Sequence, residues 1–210
     1  MFSFASRGKR EVSIIYDVSA ESVGAAVILS AKGKIPHVIY ACREYFFTNA
    51  LADGNARRLI GIMTKTLERL DEHIRRRILR NDFFESYPRG KVYFSFSSPW
   101  VEVKPKNLTA EKFLLKLSSD FGVSKDAFVV VENNVGLPKE IHDSVSSLYS
   151  SHKALSFDNA VSQVFGASRP SAKDAVKRIL GPKVSVGNSV YLDPALLIIA
   201  AHVGGGLSDK

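Results

Sequence analysis

The sequence predicts an α/β protein: a three-stranded antiparallel meander, then a helix and further strands, with a small α+β part at the C-terminal end. Residues 12–47 contain three apolar runs separated by short turns, and successive short strands of this kind pair as a meander. Residues 55–80 repeat apolar side chains at three- and four-residue steps, which is the period of an amphipathic helix. The chain has 210 residues, 45% hydrophobic and 24% charged, which is typical of one large or two small globular domains.

The first hairpin is the most informative element. Its strands, 12–17 and 23–29, are joined by the small and hydroxyl residues of 18–22, and Asp17 ends the first strand. Small side chains let backbone N–H groups approach an anion, and a carboxylate at a strand end can hold Mg²⁺ through water. The turn therefore predicts a phosphate site; the alternative is an ordinary hairpin whose turn begins at Asp17. The third strand is predicted over 36–47.

The helix predicted over 55–80 has one apolar and one basic face. Asp53 and Asn55 are candidate N-caps. The apolar stripe consists of Leu59, Met63, Leu67, Leu70, Ile74 and Ile78. The basic surface consists of Arg57, Arg58, Lys65, Arg69, Arg75, Arg76, Arg77 and Arg80. With a net charge of +8, this surface indicates nucleic acid, an anionic membrane surface or an acidic protein as a partner, or simply a solvated helix face.

Shorter elements are predicted after the helix. A strand over 91–100 alternates its two faces, an edge strand follows over 101–106, and a helix begins after Thr109. A buried strand is predicted over 127–132, a helix within 138–156, helices over 157–166 and 171–180, and a strand over 184–191. An apolar segment, 194–203, runs into three glycines, which predict a flexible tail. We divide the chain into a subdomain of residues 1–106 and a smaller α+β subdomain of residues 107–210.

Several function classes lack sequence support. The single cysteine, Cys42, cannot form an internal disulfide, which favours a reducing compartment. No apolar run approaches the length of a membrane span and no secretory signal is recognisable, so a soluble cytoplasmic protein is expected. The histidines lack metal-ligand spacing, and no serine lies in a nucleophile-elbow sequence.

Two segments carry a family resemblance. The stretch YDVSAESVGAAVI, from Tyr16 onward, resembles the first phosphate motif of bacterial actin-like ATPases of cell division and pilus assembly (FtsA and PilM). The stretch KVYFSFSSPW, followed by LTAEKF, resembles the entry to their inserted subdomain. The similarity extends over residues 10–135 and implies an actin-like fold, of which this chain would form the N-terminal, ribonuclease-H-like half.

The resemblance also implies a ligand site. Asp17 matches the aspartate that binds hydrated Mg²⁺, and the phosphate contacts match Ser19, Ala20, Glu21 and Ser22, so Mg-ATP is the implied cofactor. The sequence departs from the family pattern at two positions. Ser19 replaces a glycine, which restricts the backbone, and Glu21 places a negative charge beside the phosphate site that would repel ATP at close range. The family's second phosphate loop is matched only weakly, by residues 202–209, and the chain would end before the adenosine-binding half of the family's fold.

Two functions are expected from these observations. The first is a cytoplasmic scaffold or assembly protein related to the cell-division and pilus-assembly ATPases, for which nucleotide binding is left open and hydrolysis by the single chain is not expected. Its partners would be other proteins or further copies of itself. The alternative is a non-catalytic basic subunit of a larger particle, with a structural or nucleic-acid-binding role.

Overall fold

The computed structural model describes residues 10–46, 56–98, 100–104, 107–121, 124–131 and 135–205. The strands in these ranges are β1 (Glu11–Val18), β2 (Ser22–Ser30), β3 (His37–Tyr45), β4 (Arg89–Phe96), β5 (Glu102–Val103), β6 (Phe128–Val131), β7 (Val135–Pro138), β8 (Lys153–Ser156) and β9 (Ser185–Val186). The helices are α1 (Ala56–His73), α2 (Asp82–Glu85), α3 (Ala110–Phe121), α4 (Lys139–Leu148), α5 (Phe157–Phe165), α6 (Ala172–Ile179) and α7 (Pro194–Gly205). A π-helical turn, Ile74–Ile78, extends α1.

Six strands form a mixed sheet in the order β8-β4-β1-β2-β3-β9. The first three strands are an antiparallel meander, whereas β4 runs parallel to β1 and β8 parallel to β4. A connection of helices is needed to return the chain for a parallel strand, and α1 is the main element between β3 and β4. The predicted fold class is confirmed, and this order is consistent with the ribonuclease-H-like half of an actin-like fold.

A second, smaller sheet has the order β5-β7-β6 and is antiparallel throughout. Helix α3 packs on it through Phe113 and Leu117, which share a small core with Phe128. Gly136 allows this close packing, because a Cβ there would lie 2.7 Å from Leu117. After α4 the chain returns to the large sheet as β8, and α5, α6 and α7 pack with that sheet. The division at residue 106 stays a prediction.

The two faces of the large sheet have separate cores. On one face the predicted α1 stripe is buried, from Leu59 to Ile74, against alternate residues of β1 such as Tyr16. On the other face, α7 lies between the sheet and helices α5 and α6. A helix enclosed in this way is apolar on all sides, which explains the apolar segment that begins at Pro194. In the described ranges, no helix is both long and apolar enough to span a bilayer.

Four local predictions differ from the structure. The helix within 138–156 ends at Leu148, and residues 153–156 form β8. The strand over 184–191 is only two residues long, and β7 was missed. Gly204 and Gly205, predicted to belong to a flexible tail, are part of α7, and Gly204 is buried where a Cβ would lie 2.4 Å from Pro36. The caps predicted at Asp53 and Asn55, and residues 206–210, lie outside the described residues.

Candidate functional site

The turn between β1 and β2 is closed by its own hydrogen bonds. The Ser19 amide donates to the Ser22 carbonyl over 3.0 Å. The Ser19 hydroxyl oxygen accepts from the amides of Glu21 (3.4 Å) and Ser22 (3.2 Å) and lies 2.9 Å from the Ser22 hydroxyl. Trp100 Nε1 donates to the Ser19 carbonyl over 2.7 Å, which fixes the turn to the segment after β4. The groups predicted to contact phosphate are therefore engaged with each other, while Ala20 is half-buried and Glu21 exposed.

Asp17 is buried and faces Arg43, which extends from β3. Arg43 Nη2 donates to Asp17 Oδ2 over 2.7 Å, and Nε donates to Asp193 Oδ2 over 2.6 Å. Nη1 of the same guanidinium donates to the Ser22 hydroxyl over 2.9 Å. The three ionic side chains are 8%, 3% and 5% exposed for Arg43, Asp17 and Asp193. We call these three residues the Arg43 triad.

Strand register brings the triad together. Asp17 is the partner of Gly24 across β1 and β2, and Gly24 is the partner of Arg43 across β2 and β3. The Arg43 guanidinium reaches Asp17 by crossing over Gly24, where a Cβ would lie only 2.7 Å from Nη2. The absence of a side chain at Gly24 is thus a structural requirement of the ion pair.

Asp193 connects the triad to the second face of the sheet. Its Oδ1 accepts from the amides of Ala195 (2.9 Å) and Leu196 (3.1 Å) at the start of α7. An Asp followed by proline is a favourable N-terminal sequence for a helix, since the carboxylate caps free N–H groups and proline needs none. The same carboxylate therefore caps α7 and holds Arg43.

The triad balances burial against charge pairing. Burial raises the pKa of Asp17, and the Arg43 guanidinium opposes that rise. For Arg43, burial lowers the pKa, but the carboxylates of Asp193 and Asp17 outweigh it and raise the pKa above its ordinary value. Oδ1 of Asp17 and the hydroxyl of Ser95, its register partner on β4, are buried without a hydrogen-bond partner in the described part of the chain.

This arrangement places an internal cation where a metal was predicted. Asp17 and Asp193 are oxygen ligands suited to Mg²⁺, but Oδ2 of each carboxylate is bonded to Arg43. The described residues contain no group of three or more His, Cys, Asp or Glu side chains that could hold a metal ion. Asp17 as a magnesium ligand, and residues 19–22 as phosphate contacts, stay predictions.

The basic surface is partly neutralised by carboxylates. Arg69 pairs with Glu44 of β3, and Arg76 lies 2.9 Å from Glu72. Arg75 Nε donates to buried Asp71 over 2.7 Å. The other residues of the basic surface whose side chains are described are exposed: Arg58, Lys65, Arg77 and Arg80. The Arg57 side chain lies outside the described residues. This pairing is what a solvated, ion-paired helix face shows.

Sequence reasoning missed Arg43 and Asp193. The Asp-Pro dipeptide at 193–194 was a readable helix-start signal. Nothing in the sequence, however, showed that Arg43 would lie opposite Asp17, because the two residues are on strands that do not pair directly.

No protein-family model and no curated protein matches the sequence. Among solved structures, a Bacteroides thetaiotaomicron protein with an actin-like ATPase fold and unknown function is similar, with a TM-score of 0.45, 14% identity, and coverage of 79% of this chain and 58% of that chain. A Ppx/GppA family member from Aquifex aeolicus gives a TM-score of 0.35 and 14% identity, with coverage of 83% of this chain and 42% of that chain. A structure of an Aquifex aeolicus PPX-GPPA enzyme gives a TM-score of 0.29 and 15% identity, with coverage of 55% of this chain and 34% of that chain.

This chain spans less than two thirds of each of these proteins. Its own strand order and orientations define the class, an α/β protein whose large sheet is consistent with one half of an actin-like fold.

Proposed function

We propose that this chain is a cytoplasmic scaffold or assembly protein of the actin-like kind, related to those of cell division and pilus assembly, that does not hydrolyse ATP. The observation that carries the proposal is the Arg43 triad. Its guanidinium occupies the space between two carboxylates that would otherwise be available to a hydrated metal ion. The neighbouring turn supports the same conclusion, because its hydroxyls and amides bond to each other.

Mg-ATP tests the catalytic part of this proposal. We expect wild type and Asp17→Ala to release phosphate from Mg-ATP at the same background rate, and calorimetric titration of both proteins shows separately whether Asp17 takes part in nucleotide binding. This result is expected because Arg43 already neutralises Asp17 at 2.7 Å. Saturable Mg-ATP turnover by wild type that Asp17→Ala abolishes would contradict the proposal.

Exposed apolar side chains near the triad support an assembly role. Tyr45 follows Arg43 by two residues on β3 and is 61% exposed. Tyr191 (60%) and Leu192 (46%) directly precede Asp193. The bond between Arg43 and Asp193 brings the two chain segments that carry these residues to the same end of β3. Exposed apolar residues that lie near one another are typical of protein contact surfaces.

Self-association tests the assembly part. We expect the sedimentation coefficient of wild type to rise with concentration, and the double variant Tyr45→Ser, Leu192→Ser to raise the dissociation constant at least about tenfold, since removing one apolar side chain from an interface costs about 1 kcal/mol or more. Leu115→Ser is the control, because Leu115 is 50% exposed on α3, which packs on the smaller sheet away from the Arg43 triad. A chain that stays monomeric at every concentration would rule out self-assembly.

The alternative, a nucleic-acid-binding subunit, has weaker support. Arg69, Arg75 and Arg76 are each bonded to a carboxylate. Phosphate contacts would have to compete with those bonds.

A further inference from the structure

A second polar site lies at the opposite end of the large sheet from the Arg43 triad. It is a cavity of about 560 Å³ between the starts of β1 and β4, the π-helical turn after α1, and the connection from α4 to β8. Its volume is in the range of small-molecule sites. Val12 lines the cavity, and the five residue steps from Val12 to Asp17 correspond to about 17 Å of strand, so the two sites are separate.

Three cations line the cavity: Arg75, Arg89 and Lys91. No carboxylate is among its described lining residues. Asp71 lies behind Arg75 and bonds to it, and Glu11 lies beside Gly90, where a Cβ would be 3.0 Å from the Glu11 carboxyl carbon. The three cations of the lining outnumber these two neighbouring carboxylates, so the lining keeps a net positive charge.

Arg75 is held in a fixed orientation. Its Nε donates to Asp71, and its Nη2 donates to the Leu148 carbonyl over 3.2 Å. The guanidinium carbon lies 4.5 Å from the centre of the Tyr149 ring. Asp71 is itself fixed, because Tyr16 donates to its Oδ1 over 2.7 Å and Tyr149 donates to the same atom. A pre-oriented guanidinium loses little further entropy when an anion binds.

The rest of the lining is mixed. Apolar side chains, such as Val12, Ile14 and Leu148, form one wall, and Ser150 and Ser151 supply hydroxyl groups. Arginine and serine donors suit the oxygens of a phosphate, whereas an apolar wall suits an organic group.

We propose that this cavity binds a small phosphate monoester with an apolar or aromatic organic group. The phosphate dianion is matched by the excess of cations in the lining, with Arg75 oriented toward it and Arg89 and Lys91 beside it. The organic group lies against the apolar wall. The site is independent of the Arg43 triad and of nucleotide hydrolysis.

Calorimetric titration of the full chain with AMP, phenyl phosphate and inorganic phosphate tests the proposal. We expect saturable binding of AMP or phenyl phosphate, with inorganic phosphate at least about tenfold weaker because it cannot use the apolar wall. The double variant Arg89→Ala, Lys91→Ala is expected to weaken binding at least tenfold. The charge-matched control is Lys173→Ala, Lys177→Ala, two exposed residues of α6, and it is expected to bind like wild type.

Ser151→Trp provides a second variant that does not depend on removing charge. Ser151 is exposed in the connection before β8, so the indole is expected to obstruct the cavity without disturbing the core, and far-ultraviolet circular dichroism checks folding. The proposal is overturned by any of three results. These are no saturable binding of the esters, equal affinity for inorganic phosphate, or equal weakening by the cavity pair and the control pair. Binding that Asp17→Ala removes and the cavity variants leave intact also overturns it, since that ligand would lie at the β1–β2 turn.

Discussion

Replacing Arg43 with methionine is expected to lower the free energy of unfolding by about 3–5 kcal/mol, the usual cost of removing one partner from a buried ion pair. The substitution leaves two carboxylates, Asp17 and Asp193, buried without their cation. Urea denaturation followed by circular dichroism measures the change. The exposed pair of Arg169 with Asp158 supplies the control: Arg169→Met is expected to cost less than about 0.5 kcal/mol.

The loss in Arg43→Met is expected to depend on pH. Burial raises the pKa of Asp17 above its usual 3.8, and the guanidinium that opposes this rise is absent in the variant. A carboxyl whose folded pKa is raised contributes its full stability below the unfolded pKa, near 4, and loses it as the pH rises through the folded pKa. The variant should therefore be less destabilised near pH 4 than at pH 7, and an equal loss at both values would contradict the ion-pair account.

Gly24→Ala tests the same ion pair without removing a charge. The added methyl group would lie 2.7 Å from Arg43 Nη2 and push the guanidinium from Asp17; overpacking of this kind costs about 1–3 kcal/mol. Gly61→Ala is the matched control with the opposite sign. Gly61 is exposed in α1 with nothing near its added Cβ, so alanine should stabilise the helix by about 0.5–1 kcal/mol.

Replacing Asp71 with alanine is the second substitution expected to destabilise the fold strongly, by about 2–3 kcal/mol. Asp71 accepts hydrogen bonds from Tyr16, Tyr149 and Arg75, and it joins α1 to β1 and to the residue after α4. Burial and the Asp71 carboxylate raise the pKa of Tyr149 to about 12, so the tyrosine stays a neutral donor. The loss is limited because Tyr16 and Tyr149 keep a 3.1 Å contact with each other and each unsatisfied buried group costs about 1–3 kcal/mol.

Urea denaturation of Glu72→Ala provides the control for Asp71→Ala. Glu72 neighbours Asp71 on α1 and pairs with Arg76, but both side chains of that pair are largely exposed. Its removal should change the free energy of unfolding by no more than about 0.5 kcal/mol. Similar losses for the two variants would show that the Asp71 network does not contribute more than a surface ion pair.

Local periodicity was enough to predict most of the elements. The apolar stripe from Leu59 to Ile74 is buried as predicted, and alternate residues of β4 face the two different cores. Both were predictable because the spacing of apolar residues shows which face of an element meets the core. Prediction failed where pairing partners decide the structure. Residues 153–156 form a strand because β4 offers an open edge to them, although their own sequence is compatible with a helix.

The α/β class, the opening meander, the basic helix and the position of Asp17 at the end of β1 all followed from local residue patterns. What Asp17 contacts did not follow from them. Arg43 is 26 positions from Asp17 and 150 positions from Asp193, and the three meet because of the register of three strands and the start of α7. Local patterns encode periodicity and capping, whereas the pairing of distant charges is set by the packing of the whole chain.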